Sequence, residues 1–242
     1  MRLDTLITGK KLVRSRNVAA ELIRSGLVKV NGEIITKPAK EFLADVIVEI
    51  IEQPKYVGRG GLKLEKALLE FGIDPTNLTV LDVGSSTGGF TDCLLQKGAR
   101  KVYAIDVGTD QFDSKLKNDS RVILMEKTDI RDVKSLPDNP DLAVIDVSFI
   151  SLELILKNVA TLLSPKGKII ALIKPQFETQ RGDKNKGGIV KNKEIQEKTI
   201  DKIKRYCEKN GLLVLKTTES PILGGSGNKE YLALLQKTSI VI

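Results

Sequence analysis

The sequence has 242 residues, of which 41% are hydrophobic, and a net charge of +8; this length allows one large domain, or an ordinary domain with a small one. Its apolar runs are too short to span a bilayer, its N-terminus lacks the apolar core of a signal peptide, and its two distant cysteines indicate a reducing cytosol and no structural zinc. Histidine is absent, so acid–base chemistry has to use Lys, Asp, Glu or Tyr.

The positive charge is concentrated at the start of the chain. Residues 1–40 hold nine Lys and Arg residues against three Asp and Glu residues, an excess of six. Such a region would attract an anionic partner such as nucleic acid. Charge alone leaves the question open, because a Lys-rich surface is often only a solvated one.

Short elements are predicted for the first fifty residues. The stretch "SRNVAAELIRSG" has the spacing of an amphipathic helix, which Ser15 can cap and Gly26 can end. The stretch "LVKVNGEIIT" predicts two strands joined at Asn31-Gly32, a dipeptide typical of tight hairpins. A further strand is predicted from "DVIVEII".

This basic helix and small β unit, after the opening "RLDTLI", resemble the S4 RNA-binding domain, whose helical face and hairpin lie on structured RNA. The residues that match its pattern are Arg2, Leu3, Asp4, Ser15, Arg16, Ala20, Ile23, Gly26, Val28, Val30, Asn31 and Gly32. The resemblance implies phosphate contacts from the basic residues Arg2, Lys10, Lys11, Arg14, Arg16, Arg24 and Lys29. The alternative is a small domain that binds another protein.

A domain boundary is predicted at "IEQPKYVGRGG", where Pro54 and three glycines interrupt the periodicity. We therefore predict an S4-like domain at 1–53, a linker at 54–61 and a second domain at 62–242.

In the second region, strand-like apolar runs alternate with helical stretches such as 151–163 and 190–210. The seven runs are "LTVLDVG", "KVYAIDVG", "VILMEKTD", "DLAVIDVS", "GKIIALIK", "LLVLKTT" and "EYLALLQK". Strands alternating with helices at this spacing predict an α/β fold with a mostly parallel, seven-stranded sheet covered on both faces.

The first of these strands leads into "LDVGSSTGGF", and "TGGFTDCLLQKG" predicts a helix that ends at Gly98. A glycine-rich turn between strand and helix lets a ligand approach the backbone. The dinucleotide fingerprint G-x-G-x-x-G has a second glycine that makes room for a pyrophosphate. Here Ser86 occupies that place, with glycines at Gly84, Gly88 and Gly89. The spacing therefore favours a nucleoside without a pyrophosphate.

Charged residues stand where the predicted strands end, which is the edge at which open α/β sheets bind ligands. Asp106, Asp129, Asp146 and Lys174 follow successive strands. Glu230 starts the last strand, so it meets the same edge if that strand is antiparallel. Lys63, on the helix "GGLKLEKALLEFG", would approach from one side. Taken singly, each could be a solvated or capping residue. Together they place a desolvated lysine beside another cation, which makes Lys174 a candidate base.

These features resemble the class I S-adenosylmethionine-dependent methyltransferases, and among them the FtsJ-type RNA 2'-O-methyltransferases with a Lys-Asp-Lys-Glu tetrad. An S4 domain ahead of such a domain resembles the TlyA, or haemolysin A-type, family. The supporting stretches include "GRGGLKLEKAL", "DVGSSTGGFTDCLLQKGA", "DVSFISL", "IKPQFE" and "GNKEYL". The resemblance implies a Rossmann-like fold and 2'-O-methylation of ribose, usually of cytidine, in 16S or 23S ribosomal RNA.

The tetrad would be Lys63, Asp146, Lys174 and Glu230, with Lys174 as base or electrostatic partner of the ribose oxygen. Lys63 would orient the ribose, and Asp146 and Glu230 would hold the lysines. The resemblance also implies that S-adenosylmethionine lies over the glycine turn, with Asp106 on its ribose and Asp129 near its adenine. The implied cofactor-binding residues are Asp82, Gly84, Ser85, Ser86, Thr87, Gly88, Gly89, Phe90, Asp106 and Asp129.

The loop "PQFETQRGDKNKGGIV" follows Lys174 and is rich in glycine and lysine. It could be a mobile surface loop, or its Arg181, Lys184 and Lys186 could grip phosphates of the target strand.

Three other functions fit the sequence less well. A membrane-active haemolysin would need an amphipathic or spanning segment with a large apolar face, and the α/β pattern shows neither. An RNA- or ribosome-binding protein with little catalysis would be expected to lack part of the tetrad, yet all four residues are present. A nicotinamide enzyme is disfavoured by the glycine spacing.

Overall fold

The computed structural model describes residues 1–13, 16–52, 54–185 and 187–238. The chain forms two compact units, Met1–Gly61 and Leu62–Ile242, and the predicted linker falls within the first. Three sequence-predicted positions lie outside the described residues, Arg14, Ser15 and Lys186.

The first unit contains two helices and a three-stranded antiparallel sheet. The elements are α1 (Leu3–Gly9), α2 (Arg16–Arg24), β1 (Val28–Val30), β2 (Glu33–Ile34) and β3 (Val48–Ile50). The strand order is β2-β1-β3. Between β1 and β2, Asn31 and Gly32 have φ angles of 50° and 84°, as a type I′ turn requires. The predicted hairpin is therefore confirmed.

Apolar residues of both helices and of β1 form the core of this unit. Leu3, Ile7, Leu22, Ile23 and Val28 are buried together. The apolar positions of α2 recur at helical spacing, so one face of the helix packs inward while its arginines face outward.

The second unit is built on a seven-stranded sheet. Its strands are β4 (Thr79–Val83), β5 (Lys101–Ile105), β6 (Val122–Met125), β7 (Leu142–Ile145), β8 (Lys168–Ile173), β9 (Leu212–Glu219) and β10 (Tyr231–Lys237). The strand order is β6-β5-β4-β7-β8-β10-β9. Among these strands only β10 runs antiparallel, against both β8 and β9, while the pairs from β6 to β8 are parallel.

Helices connect and cover these strands. They are α3 (Gly60–Phe71), α4 (Gly89–Gln96), α5 (Ser114–Lys117), α6 (Leu156–Leu162), α7 (Pro175–Glu178) and α8 (Lys193–Lys209), with 3-10 turns at Ile130–Asp132, Leu152–Leu154 and Arg181–Asp183. Every residue of β4 and β7 is buried, as expected for central parallel strands covered on both faces. The α/β fold with a mostly parallel seven-stranded sheet and a small N-terminal domain is confirmed.

The helix predicted at 151–163 is wrong in one respect. The segment contains a 3-10 turn at Leu152–Leu154 and then α6, with an interruption at Ile155, whose φ is −122°. The physical reason is that the Leu152 N–H donates to the Glu178 carboxylate, and Ser151 caps the 3-10 turn.

Within the described part of the chain, no helix is both long and apolar enough to cross a membrane.

Candidate active site

Lys174 and Asp146 form a close ion pair at the carboxyl edge of the sheet. Asp146 directly follows β7, and Lys174 follows β8 at the start of α7. Lys174 Nζ lies 2.6 Å from Asp146 Oδ1 and donates to Ser148 Oγ at 3.0 Å. Because only 7% of Lys174 is exposed, these two partners replace the water that its ammonium has lost.

Lys63 and Glu230 form a second buried pair. Lys63 Nζ donates to Glu230 Oε2 at 2.6 Å, and the two residues are 8% and 3% exposed. The other carboxylate oxygen accepts a hydrogen bond from Gln176 Nε2 at 3.3 Å. Gly224 packs so closely against Glu230 that a Cβ at position 224 would collide with the carboxylate. The carboxylate of Glu230 is thus held from three sides.

The antiparallel direction of β10 brings the two pairs to one edge. In the β8–β10 register Tyr231 is opposite Ile173, so the residue before β10, Glu230, lies across from the residue after β8, Lys174. All four predicted tetrad residues therefore meet at the carboxyl edge, as two lysine–carboxylate pairs. In each pair the ammonium has its own carboxylate partner.

A cavity of about 400 Å³ opens at the ends of β4, β5 and β7. Its polar lining includes the carboxylates Asp106, Asp129 and Asp146. Its apolar lining is Val83, Ile105, Val107, Ile130, Val147, Phe149, Ile150 and Ile155. No Lys or Arg is among the described residues that line it. A pyrophosphate would thus face carboxylates without a cation, whereas a nucleoside that carries a positive charge fits this lining.

Asp106 is held in a fixed position beside the glycine turn. Its Oδ2 accepts a hydrogen bond from Ser86 N at 2.8 Å and its Oδ1 accepts one from Gly108 N at 2.7 Å. Each carboxylate oxygen has capacity for a second hydrogen bond. A carboxylate oriented in this way is suited to accept from the two hydroxyls of a ribose.

The glycine turn reaches the cavity through some of its residues only. Gly84 and Ser86 line the cavity. Gly88 has a φ of +94°, and a Cβ there would press on the side chains of Leu116 and Phe112, so Gly88 serves packing. The remaining predicted cofactor-binding positions of the turn are also outside this lining, namely Asp82, Ser85, Thr87, Gly89 and Phe90.

Asp129 and Asp82 occupy different environments. Asp129 caps a 3-10 turn and pairs with Arg131 at 2.6 Å, and the Arg131 guanidinium lowers the pKa of Asp129. Asp82 lies fully buried within β4, where its Oδ2 accepts from Thr91 Oγ1 at 2.6 Å and its Oδ1 has no partner among the described residues. Burial raises the pKa of Asp82 to about 7.

Phe149 is a site residue that the sequence reasoning missed. It is 91% exposed and has a left-handed φ of 66°, which is strained for a bulky side chain. Its ring centroid lies 5.0 Å from that of Phe177, and the Phe177 ring lies 5.8 Å from Lys174 Nζ. An exposed aromatic ring at this edge of the sheet is a surface on which a base can stack. The available signal was an aromatic residue just after a strand end, in "DVSFISL".

In the first unit, three predicted RNA-contacting arginines form ion pairs. Asp4 lies 2.7 Å from Arg2 and 3.5 Å from Arg16, and Arg24 lies 3.3 Å from Glu21. Of the other predicted RNA-contacting residues in this unit, Lys10 and Lys11 are exposed and Lys29 is half-buried. Lys184, in the second unit, is also half-buried. Arg181 begins a 3-10 turn in the second unit.

Among the described residues, no group of three or more His, Cys, Asp or Glu side chains is arranged to hold a metal ion.

Comparisons with known proteins match both units. Residues 56–237 match the FtsJ-like methyltransferase family and residues 1–47 match the S4 domain. Hemolysin A of Brachyspira hyodysenteriae is 43% identical over 96% of this chain and 98% of that protein. The 16S/23S rRNA (cytidine-2'-O)-methyltransferase TlyA of Mycobacterium tuberculosis H37Rv is 36% identical over 97% of this chain and 89% of that protein. A solved structure described as a hemolysin from Streptococcus thermophilus superposes with a TM-score of 0.79, at 42% identity, over 99% of this chain and 89% of that one.

Proposed function

Because the chain belongs to the TlyA, or haemolysin A-type, family of FtsJ-like methyltransferases with an S4 domain, we propose that it transfers a methyl group from S-adenosylmethionine to a ribose 2'-hydroxyl of ribosomal RNA. The observation that carries the proposal is the meeting of Lys174–Asp146 and Lys63–Glu230 beside a cavity lined with carboxylates. The relative from M. tuberculosis is named for cytidine in 16S and 23S rRNA, and we propose cytidine as the target nucleotide here.

S-adenosylmethionine, when bound, supplies an electrophilic methyl group on a positively charged sulfur. The cavity residues suit its parts: Asp106 would accept hydrogen bonds from its ribose, and Gly84 and Ser86 would line its path. Asp129 would lie near the adenine. Three carboxylates without a lining Lys or Arg among the described residues also favour a cationic ligand. Six residues that the sequence predicts as cofactor-binding lie outside this lining, namely Asp82, Ser85, Thr87, Gly88, Gly89 and Phe90. We propose that they affect the cofactor through the shape of the turn.

Lys174 would contact the reacting ribose oxygen. As an ammonium beside Asp146, Lys174 would donate a hydrogen bond to the 2'-oxygen and stabilise the negative charge that develops there as the hydroxyl proton leaves. That proton would pass to the Asp146 carboxylate, because an ammonium has no lone pair with which to accept it. Lys63, held by Glu230, would orient the ribose. Fixing the hydroxyl in line for attack is worth about 7–11 kcal/mol at best.

The target base would stack on Phe149 outside the RNA helix, since single-stranded bases bind proteins by stacking on exposed aromatic side chains. The basic residues of the first unit and of the loop after Lys174 would bind the surrounding phosphates. We propose that the substrate is a ribosomal subunit and that the protein acts in the cytoplasm. We also propose an RNA-binding domain at 1–53, a linker at 54–61 and a catalytic domain at 62–242.

The experiment is methyl transfer from labelled S-adenosylmethionine to isolated 30S and 50S subunits. It compares the wild type with Lys174→Ala, and the modified ribose is located by its resistance to alkaline cleavage. We expect a 2'-O-methylated cytidine and a loss of rate of about 10²–10³-fold in the variant, the range for removing one donor that stabilises developing negative charge. Cofactor affinity should be retained.

Lys101→Ala is the matched control, because Lys101 also pairs with a carboxylate, Asp138 at 2.5 Å, but starts β5 at the opposite edge of the sheet. It should leave transfer unchanged. Cofactor binding without transfer to any subunit would instead favour an RNA-binding protein with little catalysis.

A further inference from the structure

Glu178 is a buried carboxylate that the mechanism above does not use. It is the last residue of α7, four positions after Lys174, and is 7% exposed. Its Oε1 accepts a hydrogen bond from Leu152 N at 2.7 Å, and its Oε2 accepts one from Ser151 Oγ at 2.6 Å. The side chain therefore spans from α7 to the segment that follows β7.

The Glu178 charge is only weakly neutralised by the cation nearest to it. Lys202 Nζ lies 3.8 Å from Glu178 Oε2 but only 2.8 Å from Glu153 Oε2, so its main partner is Glu153. Burial raises the pKa of Glu178 above its ordinary value. Burying a carboxyl group raises the free energy of the folded state unless hydrogen bonds compensate for the lost water. At Glu178 the hydrogen bonds from Ser151 and Leu152 provide that compensation.

The two segments that Glu178 joins carry the reactive parts of the site. The loop 146–151, after β7, carries Asp146, Ser148 and Phe149. The turn 174–178, after β8, carries Lys174 and Phe177. Phe149 has a left-handed backbone and an exposed ring, so its place depends on what fixes both ends of its loop.

At one end of that loop, Asp146 is fixed by β7 and by its ion pair with Lys174. At the other end, Ser151 and Leu152 are fixed by Glu178. We propose that Glu178 is a positioning residue, which clamps the loop 146–151 against the turn 174–178 and so holds Phe149 and Ser148 in place over Lys174. This inference deepens the proposed function and rests on it for its catalytic consequence only.

The clamp can be observed without activity, because the protein contains no tryptophan. Phe149→Trp creates a single fluorescent reporter on the loop. In that background, Glu178→Ala should lower the steady-state fluorescence anisotropy of the reporter, because the loop becomes more mobile. Glu178→Gln should leave it unchanged, since the amide still offers an oxygen to Leu152 N and a donor to Ser151. Glu197→Ala, an exposed acid on α8, is the control.

The effect on catalysis is measured as kcat for methyl transfer to ribosomal subunits, in protein that keeps the native Phe149. Glu178→Ala should lower kcat about tenfold or more, on the scale of one lost hydrogen bond to a charged group. Glu178→Gln should stay within about threefold of the wild type. A merely structural role would move the melting temperature but would not give this rescue by Gln.

The outcomes separate the two proposals. An anisotropy that is unchanged in Glu178→Ala, or equally lowered in Glu178→Gln and Glu197→Ala, overturns the clamp whatever the activity. A drop confined to Glu178→Ala supports the clamp even if no methyl transfer is found, in which case the proposed function fails alone. If Glu178→Ala does not fold, Ser151→Ala removes one of the two bonds and should give a partial drop; no drop would overturn the clamp.

Discussion

Asp82 makes the stability of the second unit depend on pH through a single side chain. It is fully buried in β4, and only one of its carboxylate oxygens has a partner among the described residues, the Thr91 hydroxyl. Burial raises the pKa of Asp82 to about 7, against the opposing hydrogen bond from Thr91. In an unfolded chain the pKa of an aspartate is about 3.9. The folded protein therefore favours the neutral form.

From this difference we predict that Asp82→Asn changes how stability varies with pH. The raised folded pKa contributes stability that is fully present below pH ~4 and is lost as pH rises through ~7. Between those values the wild type should lose up to about 1.4 kcal/mol of unfolding free energy per pH unit relative to Asp82→Asn. Chemical denaturation of both proteins from pH 4.5 to 7.5 measures the difference.

Other titrating groups are common to the two proteins and cancel in the comparison. Parallel curves across the range would mean that Asp82 is ionised throughout and that the buried oxygen finds a partner in solution. Above pH 8 the two curves should run parallel in either case.

At the scale of elements, the turn from β4 to α4 owes its shape to contact with the backbone that directly follows β7. Gly84 has a φ of +82°, and a Cβ there would lie 2.5 Å from the backbone oxygen of Asp146. The position thus needs glycine for two reasons, the left-handed backbone and the close approach of the residue that pairs with Lys174. Gly72, just after α3, has a φ of +66°, and no described atom lies within 4 Å of its missing Cβ.

Gly84→Ala should therefore destabilise the protein more than Gly72→Ala. Both carry the backbone cost of about 1–2 kcal/mol, and the Gly84 variant adds about 1–3 kcal/mol of overpacking against β7. Because that pressure falls on Asp146, methyl transfer should also decrease in Gly84→Ala alone. Urea denaturation and transfer assays measure both. Equal losses of stability in the two variants would show that the backbone at Asp146 moves to accommodate the added methyl group at no cost in free energy.

The strands of the sheet could be predicted from the sequence because buried parallel strands are continuous apolar runs. Their order along the edge follows from topology, so the meeting of Lys174 with Glu230 could also be anticipated once the last strand was taken as antiparallel. Local patterns do not encode contacts between residues far apart in sequence. The break at Ile155 depends on Glu178, 26 residues beyond Leu152, and no periodicity contains that bond.

Exposed functional residues cannot be predicted from the periodicity of apolar residues. Phe149 has no periodic partner and lies on an irregular loop, so only its position after a strand end marked it. Which carboxylate pairs with which lysine was likewise hidden, because side-chain pairing across strands depends on register and rotamer rather than on residue type.

At the scale of the whole molecule, the basic residues of the first unit do not have equal access to RNA. Arg2 and Arg16 share the buried carboxylate of Asp4, and the Arg2 guanidinium holds the pKa of Asp4 well below its usual range. These arginines thus also stabilise the unit. Lys10 and Lys11 are exposed after α1, and no carboxylate among the described residues pairs with them. Their charge is available to phosphates.

We predict that Lys10→Ala/Lys11→Ala weakens RNA binding because the variant neutralises fewer phosphates. In full-length protein, the slope of log affinity against log salt should fall by about 0.7–0.9 for each phosphate that is no longer neutralised, or about 1.4–1.8 for two. KM for the subunit should rise while kcat at saturation is unchanged, because these interactions are equal in ground and transition states. Lys37→Ala/Lys40→Ala removes the same charge from other exposed positions of this unit and should change the slope less. An equal change in both double variants would show that the unit attracts RNA by its net charge, without a defined binding surface at the end of α1.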